Sequence, residues 1–178
     1  MESYSSRANT LFCTFLTVLG TAAFAGHFTT YLPIFEPTID GRIALNEVVD
    51  LTVNKVLNMD QCMLKFDLQH NLSSEFNWNM NQLFLYVVAT YNETANVRNE
   101  VLIWDNIIQS ADRAVYDRKA LMVEYPLRDQ YKELRGRDIR LEIRYRTMPI
   151  TGVMYEKRLA FGDFSNIAEY SRASASRK

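Results

Sequence analysis

The side chains that could do nucleophilic or metal chemistry are few. The chain has two histidines and two cysteines, and only His70 and Cys62 lie outside a long apolar stretch near the amino terminus. A Ser/His/acid hydrolase needs its histidine beside the nucleophile. Ser73 and Ser74 do follow His70, but nothing around them marks a nucleophile elbow, and no motif points to a Ser/Lys dyad. One cysteine and one histidine do not make a zinc cage, and there is no glycine-rich phosphate loop, so the residues ask for no metal and no cofactor. Cys13 lies inside the apolar stretch and cannot reach Cys62 across a membrane boundary. Cys62 therefore reads as a small buried apolar residue, with a reactive thiol as the alternative. The chemistry that the sequence does offer is modification of the chain itself. Asn71-Leu72-Ser73 and Asn92-Glu93-Thr94 are N-glycosylation sequons, each just after a predicted strand. Asn92 is the better placed of the two, because residues 91–99 read as a polar loop.

The apolar stretch, residues 11–32, has no acidic or basic residue apart from His27. About 22 residues at about 1.5 Å each span about 33 Å, enough for a hydrocarbon core of about 30 Å. Tyr31 stands where an interfacial aromatic would, and Pro33 stops the helix. The same stretch also fits a cleaved signal peptide, with Arg7 as its basic region, residues 11–19 as its apolar core and Ala23-Phe24-Ala25 as a cleavage pattern. Both readings stay open on composition, and both deliver the rest of the chain to the same side. Arg7 precedes the stretch and the next basic residue after His27 is Arg42, which puts residues 1–10 in the cytosol as a short tail. Thr14, Thr17 and Thr21 recur along one helical face. Such a small, hydroxylated stripe either docks a partner helix or bonds back to its own backbone.

Beyond the stretch, the chain is long enough for one domain with a full core. A net charge of −1 and a pI of about 6.1 exclude the electrostatic footprint of a nucleic-acid binder. Residues 35–46 read as a connector, and residues 48–57 give the first strand-like content. Residues 62–69 alternate clearly, with Cys62, Leu64, Phe66 and Leu68 on one face. Residues 82–91 are apolar on both faces and predict a central strand whose second face needs a cover. In 101–108 Trp104 and Ile108 oppose Ile103 and Ile107. Residues 113–119 are polar and predict a loop or short helix, before a strand over 120–125 that Pro126 ends.

Residues 139–146 put Ile139, Leu141, Ile143 and Tyr145 inward and Arg140, Glu142, Arg144 and Arg146 outward, onto a face that meets water or an acidic partner. Residues 154–161 predict a last strand, and residues 171–178 a disordered basic tail. About seven short strands with turn signals predict an all-β fold, an antiparallel β-sandwich over residues 33–170 preceded by a single transmembrane helix.

One run departs from a generic sandwich. Phe76-Asn77-Trp78-Asn79-Met80-Asn81 leads an aromatic and asparagine-rich segment straight into the central strand, either as a turn that caps the core or as a contact surface. Together with Ser6-Arg7-Ala8-Asn9-Thr10-Leu11-Phe12, Gln82-Leu83-Phe84-Leu85-Tyr86 and Val101-Leu102-Ile103-Trp104-Asp105 with Ile107, it resembles the family of eukaryotic signal peptidase complex subunit 3. Three separated blocks agree in order and spacing over nearly the whole chain, and residues 113–138 and the basic tail diverge most.

The resemblance implies a single-pass type II protein of the endoplasmic-reticulum membrane with a lumenal domain and an uncleaved anchor. It implies a noncatalytic accessory role beside the serine protease subunit that removes signal peptides, with the other subunits of the complex and the translocon as partners. Phe76, Asn77, Trp78, Asn79, Thr14, Thr17 and Thr21 are then the candidate partner contacts. The competing class is a secreted or membrane-tethered adhesion or ligand-binding sandwich, which would begin at Gly26 after cleavage. A third is an independent hydrolase built on His70 with Ser73 or Ser74.

Overall fold

The computed structural model describes residues 3–30, 32, 36–94 and 97–167. Its first element is α1 (Tyr4–Thr29), a 26-residue helix that starts well before the apolar run, because the side chain of Ser3 caps it by accepting the Ser6 N–H at 3.2 Å. None of its residues is buried against the rest of the chain, and it is long and apolar enough to cross a membrane. Within it the Thr17 hydroxyl donates to the Cys13 carbonyl at 2.9 Å and the Thr21 hydroxyl to the Thr17 carbonyl at 2.8 Å, which is how hydroxyls are satisfied without water. The expected interfacial Tyr31 and the stop at Pro33 lie outside the described residues.

Nine strands among the described residues form two antiparallel sheets. The first has the order β1 (Asp40–Asn54), β2 (Met59–Asn71), β5 (Val115–Met122), with β6 (Leu127–Asp129) on β2 beyond the end of β5. The second has the order β4 (Val97–Ile108), β3 (Met80–Thr94), β7 (Asp138–Pro149), β8 (Glu156–Phe161), with β9 (Ser165–Asn166) on β7 beyond β8. The sheets close over a core in which Leu64, Phe66 and Leu68 of β2 meet Leu83, Leu85 and Val87 of β3 and Ile143 and Tyr145 of β7, all at most 1 % exposed. Phe66 meets Trp104 edge to face, with centroids 6.3 Å apart. The expected all-β sandwich behind an apolar helix is therefore the architecture.

Four local readings change. The stretch 35–46 is not a connector throughout, since β1 begins at Asp40 and pairs with β2 from Asp40↔Asn71 to Asn54↔Met59. Register shifts between Leu45 and Glu47 and between Val48 and Asp50 break its alternation, which is what hid it. Residues 113–119 are mostly strand: after a 3-10 turn (Ala111–Arg113), β5 runs to Met122 and looks polar because it is an edge strand with only Tyr116 and Leu121 leaning on the core.

The strand expected over 120–125 is the end of β5 and a departure from it. Val123 N still donates to Leu64 O, but the N–H groups of Glu124 and Tyr125 cross to Ile103 O in the other sheet, both at 3.0 Å. A bulge opposite Val87 and Val88 buries Ile103 and Trp104 together, so the expected opposition of these neighbours does not occur. Cys62 is fully buried, and burial, reinforced by Asp50 and Asp60, pushes its thiol up to about 12.

Candidate functional site

Between β2 and β3 a 3-10 turn (Ser73–Glu75) hands the chain to the run Phe76–Asn79. The Asn77 side chain accepts the Asn79 N–H at 2.9 Å and the Asn77 carbonyl accepts the Met80 N–H at 3.0 Å, so the segment folds on itself before the strand starts. Phe76 packs against the core, Asn79 is buried and Trp78 stands half exposed. Asn79 is turned toward the distant β7–β8 connection: its Nδ2 donates to Thr151 O at 2.8 Å, its Oδ1 accepts Thr151 N and Thr151 Oγ1, both at 3.0 Å, and its carbonyl accepts Ile150 N at 2.7 Å. One amide side chain thus satisfies both backbone groups of Thr151, 72 residues away.

That turn meets α1. Thr151 Oγ1 lies 3.5 Å from the Ala23 carbonyl oxygen. Gly152, at φ +108°, approaches His27 so closely that a Cβ there would sit 2.0 Å from His27 Nδ1, so only glycine fits the contact. Beside this junction opens a cleft of about 520 Å³ whose walls include His27, Thr30, Glu36, Asn77, Val153 and Lys157. At its back Glu75, 4 % exposed, accepts the Tyr145 hydroxyl at 2.5 Å and Lys157 Nζ at 3.0 Å. Burial first, and the Glu75 carboxylate second, hold the Tyr145 hydroxyl far above its usual value. The cleft wall is therefore a fixed, neutralised pair joining the start of β3 to β7 and β8. The arrangement stiffens the part of the sandwich that faces the helix.

Thr151, Glu75 and Lys157 were not singled out by the sequence. The signal available was the stretch 147–155, nine residues without a charge between Arg146 and Glu156 in a chain with 23 % charged residues.

The outward face of β7 is met by the chain's own acids. Glu142, its side chain 2 % exposed, pairs with Arg98 at 2.5 Å, Arg144 at 2.8 Å and Arg158 at 3.3 Å. Arg144 holds Glu100 through two bonds of 2.7 and 2.8 Å, and Arg146 holds Glu156 at 2.9 Å. This network is the cover that the second face of β3 required: beneath it Tyr86 and Val88 are 9 % and 5 % exposed. The Arg144 hydrogen bonds hold the Glu100 carboxyl below its usual range, and Arg146 does the same for Glu156.

The remaining sequence-derived candidates fall apart from one another. Thr14, Thr17 and Thr21 lie on α1, exposed. Asn71 is the last residue of β2, exposed, and its Oδ1 accepts Ser73 N at 3.1 Å and Ser73 Oγ at 2.7 Å. Asn92 is also exposed but sits within β3, paired with Arg98, so residues 91–99 are mostly hairpin arms and not a loop. Asn92 lies about 40 Å along β3 from the junction at 3.4 Å per residue. His70 is 2 % exposed, its Nδ1 3.0 Å from Ala114 O and its ring stacked on Tyr116. Ser73 bonds to Asn71, and the Ser74 hydroxyl donates to Thr38 O at 2.6 Å. Neither serine is bonded to His70, whose protonation burial disfavours.

Fold and junction together define a β-sandwich behind one helix that, among the described residues, is fit to cross a membrane, with the Asn79-held Thr151 turn in contact with that helix. Residues 1–166 match the family model described as signal peptidase subunit. The chain is 31 % identical over 181 residues to signal peptidase complex subunit 3 of Dictyostelium discoideum, covering 97 % of this chain and 98 % of that protein. It is 31 % identical to the Caenorhabditis elegans protein of the same name over 160 residues and 30 % identical to the Homo sapiens one over 158, each alignment covering 86 % of this chain and 87 % of the relative. The chain belongs to the signal peptidase complex subunit 3 family.

Proposed function

We propose that this chain is a noncatalytic accessory subunit of the endoplasmic-reticulum signal peptidase complex. Helix α1 anchors it in the membrane with the amino terminus in the cytosol, and the sandwich stands in the lumen, where it supports the protease subunit in cleaving signal peptides. The observation that carries this reading is the family match over residues 1–166, and the Asn79-held Thr151 turn, its hydroxyl 3.5 Å from the Ala23 carbonyl oxygen, supports a sandwich held near its anchor. An accessory subunit can hold a partner's catalytic domain over the membrane only if it is itself held. Family membership supports the partner, and the engaged hydroxyls of Ser73 and Ser74 support a part in the reaction other than that of nucleophile.

Orientation follows from Arg7 before the anchor and Arg42 as the next basic residue after His27. The Thr14, Thr17 and Thr21 face, its hydroxyls at Thr17 and Thr21 bonded back to the helix, presents a narrow surface on which a partner's helix packs. Asn92 and Asn71 are glycan acceptors, read out as a mobility shift on endoglycosidase treatment that is lost in Asn92→Gln with Asn71→Gln.

Removing the sandwich while keeping α1 is the test. Precursor processing in cells depending on that variant should fall to background, and normal processing by an otherwise intact complex would refute the role. The secreted-sandwich alternative requires cleavage after Ala25, inside α1 and through its contact with the 150–153 turn. A mature protein starting at Gly26 on amino-terminal sequencing would establish that alternative.

A further inference from the structure

The turn that docks on α1 does so below the helix end. From Ala8, the first residue past Arg7, the helix rises about 22 Å to Ala23 and about 28 Å to His27 at 1.5 Å per residue, within a hydrocarbon layer of about 30 Å. Starting that layer at Leu11 sets both residues deeper still. The β7–β8 turn is fastened at Ala23 and His27. It therefore stands at the level of the leaflet next to the sandwich and not above it.

The chemistry of this end agrees. Ile150 is 67 % exposed, Val153 57 % and Met154 59 %, and Trp78, on the segment that Asn79 ties to the turn, is 50 % exposed. No charged residue lies between Arg146 and Glu156 or from Phe76 to Met80, while Glu36, Glu75, Glu156 and Lys157 line the adjoining cleft. The opposite end of the sandwich exposes Val56, Leu57 and Tyr131 too, but mixes them with Lys55, Lys132, Glu133, Arg135, Arg137 and Asp138 around its turns. A large apolar rim costs free energy in water, whereas an indole beside aliphatic side chains is the composition that partitions into the boundary between headgroups and acyl chains.

We propose that the rim formed by Trp78, Ile150, Val153 and Met154 is seated in the lipid at that boundary, giving the sandwich a second attachment to the membrane besides α1. The inference rests on α1 being an uncleaved anchor. Lipid is the occupant because the rim is fixed to the anchor at bilayer depth, where lipid surrounds a single chain. The seat holds the sandwich against tilting on its connection to the helix, and with it any catalytic partner it supports.

Emission of Trp78 tests this in the full chain reconstituted into phosphatidylcholine vesicles, read as the difference between the wild type and Trp78→Phe so that buried Trp104 stays in place. Phosphatidylcholine brominated at acyl carbons 6 and 7 should remove about half or more of that difference signal, as for an interfacial indole. In the Trp78→Phe background, Val56→Trp on the far turn, at a position 92 % exposed, should lose none. A Trp78 signal untouched by bromolipid while the chain floats with the vesicles overturns the proposal and leaves the anchor standing. A chain that does not float overturns the anchor and the proposal together. A Trp78 signal untouched in vesicles but shielded from acrylamide once the other subunits are added assigns the rim to protein and likewise overturns it.

Discussion

On the outer face of the β3-centred sheet Glu142 is nearly buried beneath three arginines, whereas on the outer face of the β2-centred sheet Lys65 and Glu47 meet at 3.1 Å in the open, 33 % and 57 % exposed. The strands underneath explain the contrast. Outward from β3 come Phe84, Tyr86 and Val88, which water would penalise, so charged side chains of β4, β7 and β8 lie flat over them, stems on the apolar surface and heads paired. Outward from β2 come Lys65, Asp67 and Gln69, which water satisfies, and pairing there is incidental. The same residue types thus roof one sheet and merely solvate the other.

Glu142→Ala should break the roof most, because it takes a partner from Arg144 in a site 13 % exposed while Arg98 and Arg158 turn to solvent. The expected loss is about 2 kcal/mol, as for losing hydrogen bonds to a charged group while Arg144 keeps Glu100, read as a lower urea midpoint at unchanged slope. Titration sharpens the contrast next. Glu100 and Glu156 have carboxyls held below their ordinary 4.5 in the folded chain, so the unfolded chain binds protons first as pH falls. Their contribution is complete above about 4.5 and is lost as pH drops through their folded values. Melting temperature should decline over that acid range in the wild type and more shallowly in Glu100→Gln. Lys65→Ala should change stability by less than about 0.5 kcal/mol, as for exposed pairs; a loss like that of Glu142→Ala would erase the distinction between the faces.

Alternation made β2 legible, where burial follows a period of two, and β7, where Glu142 alone departs from it between Ile139 and Thr147, while β3 was legible as a run apolar on both faces. It failed at β1, where two bulges reset the period, and at β5, where an edge strand has little to bury and Ala120 adopts φ +53°. The roof was half legible: four charged residues on one face of β7 stood out, but their partners on β4 and β8 depend on sheet order, which local pattern does not encode. Asn79 was visible as part of an unusual run, yet its partner Thr151 lies in a turn that only the β3–β7 pairing brings near. The helix was legible as an element, and the depth at which the sandwich grips it was not, because that depth depends on which turn reaches back.

The interrupted margins of the two sheets carry a consequence of their own. One margin passes from β5 to β6 across a break at residues 123–126, another from β8 to β9 across residues 162–164, and β1 is bent twice by bulges. Long straight margins are templates on which any extended polypeptide can add itself as a further strand. Breaks and bulges along these margins leave few such templates, so the sandwich resists being recruited as a partner strand into the aggregation of other extended polypeptides.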